Sequence, residues 1–502
     1  GVSAALYIDQ AQKLQVQGGI LLDGTKTAAS AEANKASFAD GSLLIVNGSG
    51  IGTSGTAALT GGSGSTLTVN QGAKLYLTST NAGTYTIAKG FANTTIDGWS
   101  WSADAAAVDV SVNKLSEIEE IEKNTADGDF TVTVRQTDVQ KKYDGIALPN
   151  ILQAMDQSRT EYAGIKYLTD LANDNKLDKE GFIAAVNSFA QGAENSGATR
   201  TGALAALDLG TAVQEHLSLA KAAAEQSGGF GKAAVDTADN GGIWAQYIHN
   251  KDKVDNMGGV SYDGQYNGVI IGGDFADRGK YSSGIAFSYG SGDSTGSASK
   301  NEFDFWGLSY YGGIQNGDTN LIFDVGYSKT SSDVKGVIKA EPDTQVISMG
   351  IKGEKVISNG HGTSYVPYAG LRYMNIDTDS YNGSIDGKTA AHYSTDKADL
   401  WLLPVGISIH ESVTAGGWKV RPTADIAYVW TLGDKNTAMD ITVPGVNATD
   451  RLGYDIMDSG FFVGKLGLEA EKGDWTYGLG YACQKGSHAQ NSKFMLNVTY
   501  SF

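Results

Sequence analysis

The chain closes on Lys493-Phe494-Met495-Leu496-Asn497-Val498-Thr499-Tyr500-Ser501-Phe502. Successive residues of a β-strand point to opposite faces, so Phe494, Leu496, Val498, Tyr500 and Phe502 share one face. Lys493, Asn497, Thr499 and Ser501 take the other. Just upstream, Trp475, Tyr477, Leu479, Tyr481 and Cys483 alternate with Thr476, Gly478, Gly480, Ala482 and Gln484. Far upstream, Ile285, Phe287 and Tyr289 alternate with Gly284, Ala286, Ser288 and Gly290. The pattern sets large apolar residues on one side and small or polar ones on the other.

Working outward, twelve such segments follow one another between Gly/Asn/Asp/Ser turns: 242–254, 266–277, 281–293, 301–315, 318–333, 344–358, 363–378, 398–413, 417–433, 458–473, 474–486 and 492–502. Most exceed the roughly 9–11 residues a strand needs to cross hydrocarbon. The polar register also carries charges: Asp274, Asp324, Arg372, Arg421, Asp425, Lys465 and Glu469. A soluble β-sandwich would bury the apolar face and leave the charged one wet. A closed barrel in lipid does the reverse, and closure removes exposed edges. Of the 32 Trp and Tyr residues, 24 lie after residue 240, as two interfacial girdles require. The expected fold is mainly β, with a 12-stranded antiparallel transmembrane barrel of a Gram-negative outer membrane over 242–502.

Composition agrees. The chain has 502 residues, 66 Gly and only 6 Pro, which suits long strands and turns. A net charge of −18 argues against a nucleic-acid partner. The single cysteine, Cys483, has no internal disulfide partner. No run approaches the 18 apolar residues of a spanning helix. No signal peptide opens the chain, and Gly1 reads as the start of a mature or trimmed fragment.

Residues 1–145 read as β-rich bites separated by Gly/Ser/Asn turns, such as 43–48, 67–72, 74–78 and 85–87. Their spacing of roughly 20 residues points to a repeat stack of the parallel β-helix kind, with a β-sandwich module as the alternative. Residues 146–200 form a helical segment, carried by Ile151, Leu152, Met155, Ile165, Leu168, Leu171, Phe182, Ile183, Val186 and Phe189. Its Asn175–Glu180 stretch lacks the full ligand series of a calcium loop and reads as a solvated turn. Residues 201–241 comprise a narrow, Ala/Leu-rich helix reaching Ala224, with Leu204, Leu207, Val213 and Leu217 as its packing residues, and then a linker, Gln226–Gly241. Twenty-five helical residues would reach about 37 Å, long enough to thread a barrel lumen. Packing in an ordinary bundle is the alternative.

This order, from β-helical stack through narrow helix to a barrel ending on an aromatic residue, resembles the autotransporters of type V secretion. Gly242-Ile243-Trp244-Ala245-Gln246-Tyr247 looks like the family's first barrel strand, and Ala82–Phe91 is similar to rungs of its passengers. The resemblance implies that the barrel anchors an N-terminal passenger and helps carry it to the surface, with Ala203–Ala224 left in the lumen. It implies outer-membrane lipid and the barrel-assembly machinery as partners. Phe494, Leu496, Val498, Tyr500 and Phe502 resemble the assembly signal, although the Gly common in that signal is missing. Members that cut themselves do so at an Asn-Asn pair. None occurs between 195 and 242, so the passenger is expected to stay attached.

Enzymatic signals are weak. Gly292–Gly296 fits Gly-x-Ser-x-Gly, but at a strand end rather than on a strand-to-helix turn. The six histidines show no metal spacing, and Asp379, Asp386, His392 and Asp396 share a loop. No catalytic, cofactor or metal site is expected. The readings are a monomeric barrel with an adhesin-like, non-enzymatic passenger, or else a porin or uptake channel, or a barrel-anchored hydrolase. The lumen charges are expected to bond the helix or line a pore, so that substituting Arg421 and Asp425 together raises conductance.

Overall fold

The computed structural model describes residues 5–8, 14–16, 20–22, 35–61, 64–218, 242–275 and 281–501. Phe502, the 226–241 linker and the expected end of the narrow helix near Ala224 lie outside the described residues. The chain forms two compact units. The first is Gly1–Asn187 with Asp386–Ala391 and Thr442–Asp450; the second is Ser188–Ile385, His392–Ile441 and Arg451–Phe502.

In the first unit, short strands fall in turn onto three sheets, two of them parallel throughout and the third parallel until the final hairpin joins it. Leu44 stacks on Leu75, and Leu75 on Val110; Phe38 stacks on Val69, and Val69 on Ile96. Like side chains thus pile on like, and their inner faces form one core around Trp99, Phe38 and Phe130. The spacing departs from the expected 20 residues. Leu43 pairs with Lys74, 31 residues on, and Thr66 with Asn93, 27 on. A coil with three faces returns to the same face only after three strands and their corners, so counting successive bites shortened the period. Asn47 builds one corner, its side chain accepting the Ser49 N–H at 3.0 Å. An antiparallel hairpin, Ser116–Asn124 with Asp129–Gln136, ends the stack.

Four helices follow the stack ahead of residue 192: Val139–Lys142, Pro149–Ala154, α1 (Ala163–Asn173) and α2 (Lys179–Gln191). Ile151, Leu152, Ile165, Leu168, Phe182, Val186 and Phe189 are all fully buried. A polar clasp joins this segment to the stack. The Gln157 amide donates to the Thr80 carbonyl at 2.7 Å and accepts from Asn113, while Asn173 donates to Ser79 Oγ at 2.9 Å. Asn175–Glu180 is a largely exposed turn running from α1 into α2, in which Asp178 accepts the Gly181 N–H at 2.7 Å.

The second unit is a closed barrel of twelve antiparallel strands: β1 (Gly242–Met257), β2 (Val260–Asp274), β3 (Tyr281–Gly296), β4 (Ser299–Asn316), β5 (Thr319–Gly336), β6 (Asp343–Lys355), β7 (Thr363–Thr378), β8 (Ala398–Glu411), β9 (Trp418–Gly433), β10 (Gly460–Lys472), β11 (Trp475–Gly486) and β12 (Ala489–Ser501). Closure runs through β1 and β12, with Ile243 opposite Tyr500 and Val254 opposite Ala489.

The outer face is the apolar one. On β3 the exposed Tyr281 and Tyr289 bracket the exposed Ile285 and Phe287. Eight residues at roughly 3.4 Å each, tilted about 40°, give a band about 20 Å tall, matching a membrane's apolar zone. On β11 and β12, Leu479 faces Leu496 and Tyr481 faces Phe494 across the ladder, all outward. The inner face needs glycine where large side chains point inward. A Cβ on Gly272 would lie 2.2 Å from the Trp244 ring. Among the described residues no helix is long and apolar enough to cross a membrane.

Candidate functional site

The lumen holds α3 (Ala198–His216), 19 residues or about 28 Å long, enough to run the height of the apolar band. It begins at Ala198, earlier than the expected Thr201, because Gly197 takes a left-handed conformation (φ +71°) and breaks the preceding turn. Its last helical residue is His216, and Leu217 caps it.

Small residues let the helix lie against β4, β5 and β6. A Cβ on Gly202 would meet Thr344 at 2.7 Å, and one on Gly210 would meet the Arg372 guanidinium at 2.4 Å. Leu204 and Val213 are buried as expected, with Leu209 beside them; Leu217 packs against the same cluster as Val213. Leu207 borders the cavity of about 260 Å³ left on the opposite side, walled by Lys352, Tyr368, Asp425, Lys465, Glu469 and Lys493. Gly210→Leu is expected to push Arg372 off its partners and lift the helix from the wall. Planar-bilayer conductance should rise severalfold; an unchanged trace would show that the helix tolerates displacement.

Buried ions in such a lumen need partners. Near the open end of the helix, Arg200 forks onto Asp252 of β1 at 2.7 and 2.9 Å and donates to the Ile456 carbonyl at 3.0 Å. Midway, Asp208 accepts from Lys493 Nζ at 2.7 Å, from Asn250 at 3.1 Å and from the Tyr266 hydroxyl. At the other end, Gln214 donates to Asp324 at 2.8 Å, Glu215 pairs with Lys465, and His216 reaches Asp274 at 2.9 Å while stacking on Trp244 at 4.7 Å. Ser218 donates to Glu354 at 2.9 Å.

Of the seven charges anticipated inside, Asp274, Asp324 and Lys465 do meet the helix. Arg372 forks onto Asp324 at 2.8 and 2.9 Å. The remaining three find partners on the wall, and Asp425 and Glu469 line the cavity, the second of the two expected roles. Arg421 pairs with Glu469 at 3.4 Å and Glu471 at 2.8 Å, and Asp425 accepts from Tyr368 at 2.9 Å and from Ser408. Apart from Tyr368, which reaches Asp425 from β7 across β8, these partners sit on adjacent wall strands, where opposed residues meet most easily. Substituting Arg421 and Asp425 should therefore open the lumen less than breaking the Asp208 contacts.

Sequence reading missed the helix's own partners. Arg200, just before the Ala/Leu run, and Asp208 and Glu215 within it stand at spacings of eight and seven, near one helical face, which is the signal that could have found them.

The segment before α3 seats in the mouth. Asn195 Oδ1 accepts the Ala298 N–H at 2.9 Å and its amide donates to Gln191 and Ser297 at 2.8 and 3.1 Å. Ser294, from the Gly-x-Ser-x-Gly match, is buried and donates to the Ser196 carbonyl. Glu194 lies in the turn Gly192–Ser196, outside the twelve strands; burial pushes its carboxyl up to about 7, against the lowering effect of Thr199, whose hydroxyl donates at 2.5 Å. A carboxyl raised in the folded state favours folding most below its ordinary range. That advantage falls as pH rises from about 4.5 and is gone above about 7. Glu194→Gln should flatten this dependence, raising the melting temperature at pH 8 while leaving it little changed at pH 5. Parallel pH profiles for variant and parent would count against the assignment.

Among the described residues no group of three or more His, Cys, Asp or Glu is placed to hold a metal ion. Residues 243–482 match the family model of the autotransporter β-domain. No curated protein matches the chain. Among solved structures it is similar to the translocator domain of autotransporter NalP from Neisseria meningitidis, at 12% identity over 53% of this chain and 89% of that one, TM-score 0.43. It is also similar to the β-domain of the Bordetella autotransporter BrkA, at 17% identity over 53% and 100%, TM-score 0.42. A third is the transport unit of AIDA-I from Escherichia coli, at 14% identity over 52% and 90%, TM-score 0.41.

Proposed function

From the premise that residues 243–482 are an autotransporter β-domain, an outer-membrane barrel that exports a passenger, we propose that the passenger is this chain's own N-terminal region. That region, 1–145, is read as an adhesin-like, non-enzymatic β-helix shown at the surface of a Gram-negative cell. One observation carries the reading: the chain is continuous through its own barrel. Helix α3 fills the lumen from the mouth, where Ser196 meets Ser294, to the opposite end, where His216 meets Asp274 beside the paired Gly242 and Ser501. A segment left in this position is what transit through the pore would leave behind. The three-sheeted stack supports the adhesin-like reading, because parallel rungs make a stiff rod whose corners present loops. The helix's ion pairs favour a plugged barrel over an open uptake channel.

Proteinase K shaving of intact cells tests this, with one antibody to residues 35–136 and another to the barrel. The N-terminal signal should vanish while a barrel-sized core survives. An N-terminal region protected until the outer membrane is breached would be periplasmic, and the channel reading would replace this one.

A further inference from the structure

In the first unit, the helical segment lacks parts that helices usually supply for themselves. Helix Pro149–Ala154 starts after Leu148, and α1 after Tyr162; neither side chain makes a capping hydrogen bond. The missing acceptor is Asp450. Its carboxylate takes the Asn150 N–H at 3.1 Å and the Ile151 N–H at 2.8 Å, and the residue is only 3% exposed. Open N–H groups at a helix start are the ones that need such an oxygen.

Two further contacts repeat the arrangement. Arg159 donates to the Gly445 carbonyl at 3.0 Å and to the Tyr162 hydroxyl at 2.9 Å, its guanidinium 4.6 Å from the Tyr162 ring centre. Gly445 has φ +86°, and a Cβ there would lie 2.7 Å from that ring, so only glycine lets the backbone rest on it. Gly164, buried in α1, does the same from its own side. A Cβ on it would lie 2.1 Å from the Ala390 carbonyl oxygen and 2.7 Å from Val443. Asp386–Ala391 and Thr442–Asp450 are the tips of the two long loops joining β7 to β8 and β9 to β10, and both group with the first unit.

We infer that these two loop tips form a docking surface whose partner is the chain's own segment 149–166. The inference rests on the export reading: the segment arrives as part of the passenger, its first helix is capped by one loop, and α1 packs against both. An isolated stretch of six residues would not hold a helix in water. The loop tips therefore serve the exported segment as well as linking strands.

The test uses the full chain displayed on cells, with Asp450→Ala on the loop side and Gly164→Val on the segment side. Three readouts are taken together: antibody binding to residues 35–136 on intact cells, the heat-modifiable barrel band, and the rate of trypsin cleavage at Arg159 and Lys166. Surface signal and barrel band should match the parent, while cleavage quickens at least fivefold in both variants. Asp450→Ser, which keeps a short capping oxygen, should stay within about twofold of the parent. Unchanged cleavage in both variants overturns the docking surface. Lost surface signal in the variants alone overturns it too, in favour of a role in transit. Absence of surface signal from the parent would sink the export reading itself.

Discussion

Lys493→Met is expected to unseat the lumen helix and turn a nearly closed barrel into a conducting one. Lys493 Nζ lies 2.7 Å from Asp208 Oδ1, and both residues are almost wholly buried, at 6% and 7% exposed. Removing one partner of a buried pair costs about 3–5 kcal/mol, because the other charge stays desolvated without compensation. Asn250 and Tyr266 still donate to Asp208, but both are neutral. Moving the helix so that Asp208 reaches water is then the cheaper outcome. Planar-bilayer conductance should rise at least tenfold, with the barrel's heat-modifiability unchanged. Asp208→Leu combined with Lys493→Met should recover most of the closed state, since an apolar pair of similar volume needs no compensation. Recovery should be partial, because Asn250 and Tyr266 lose their acceptor. If Lys493→Met conducts like the parent, the helix is not held by this contact.

The second large effect belongs to the first unit. Trp99 is fully buried, 5.0 Å from the Phe38 ring and 5.2 Å from Phe130, at the centre of the stack's core. Trp99→Ala should destabilise that unit by about 3–5 kcal/mol through lost burial and the cavity left behind. For a unit of this size the shift is on the order of 10 °C in its melting temperature. Two details sharpen the expectation. Among the described residues the indole N–H has no hydrogen-bond partner, so Trp99→Phe should cost much less than Trp99→Ala. Trp99 also sits at φ +50°, a left-handed conformation that bulky residues rarely adopt. Glycine relieves that strain, so Trp99→Gly should be no worse than Trp99→Ala despite its smaller side chain. Calorimetry of the full chain can follow this unit apart from the barrel. A Trp99→Gly variant clearly less stable than Trp99→Ala would refute the strain argument.

The barrel was legible because the lipid enforces a period of two on every strand. Ile285, Phe287 and Tyr289 must face out, and Ser288 and Gly290 must not, so one face declares itself without knowledge of any neighbour. The strand bounds followed unevenly: β7 and the expected segment coincide at 363–378, whereas β2 starts at Val260 instead of 266. The stack was less legible. Its strands are three to five residues long in most rungs, its corners vary in length, and a face recurs only after three strands. In the helical segment Ile151, Leu152, Met155, Ile165, Leu168, Phe182, Val186 and Phe189 are buried as read, while Leu171 and Ile183 are only half-buried, and nothing local revealed that Asp450 completes its first helix.

From the sequence alone came the class of the fold, the twelve strands, the outward apolar face and the inward charges, for each depends on alternation within a single strand. Only the tertiary structure decided which charge meets which. Arg421 and Arg372 look alike in sequence, but one pairs with a neighbouring wall strand while the other forks onto an aspartate that also holds the helix. Likewise, Asp208 meets Lys493 across 285 residues of chain. Such partners depend on the rotation and depth of α3 in the lumen. Those are set by where Gly202 and Gly210 allow the helix to touch the wall, a matter of three-dimensional close packing with no period in the sequence.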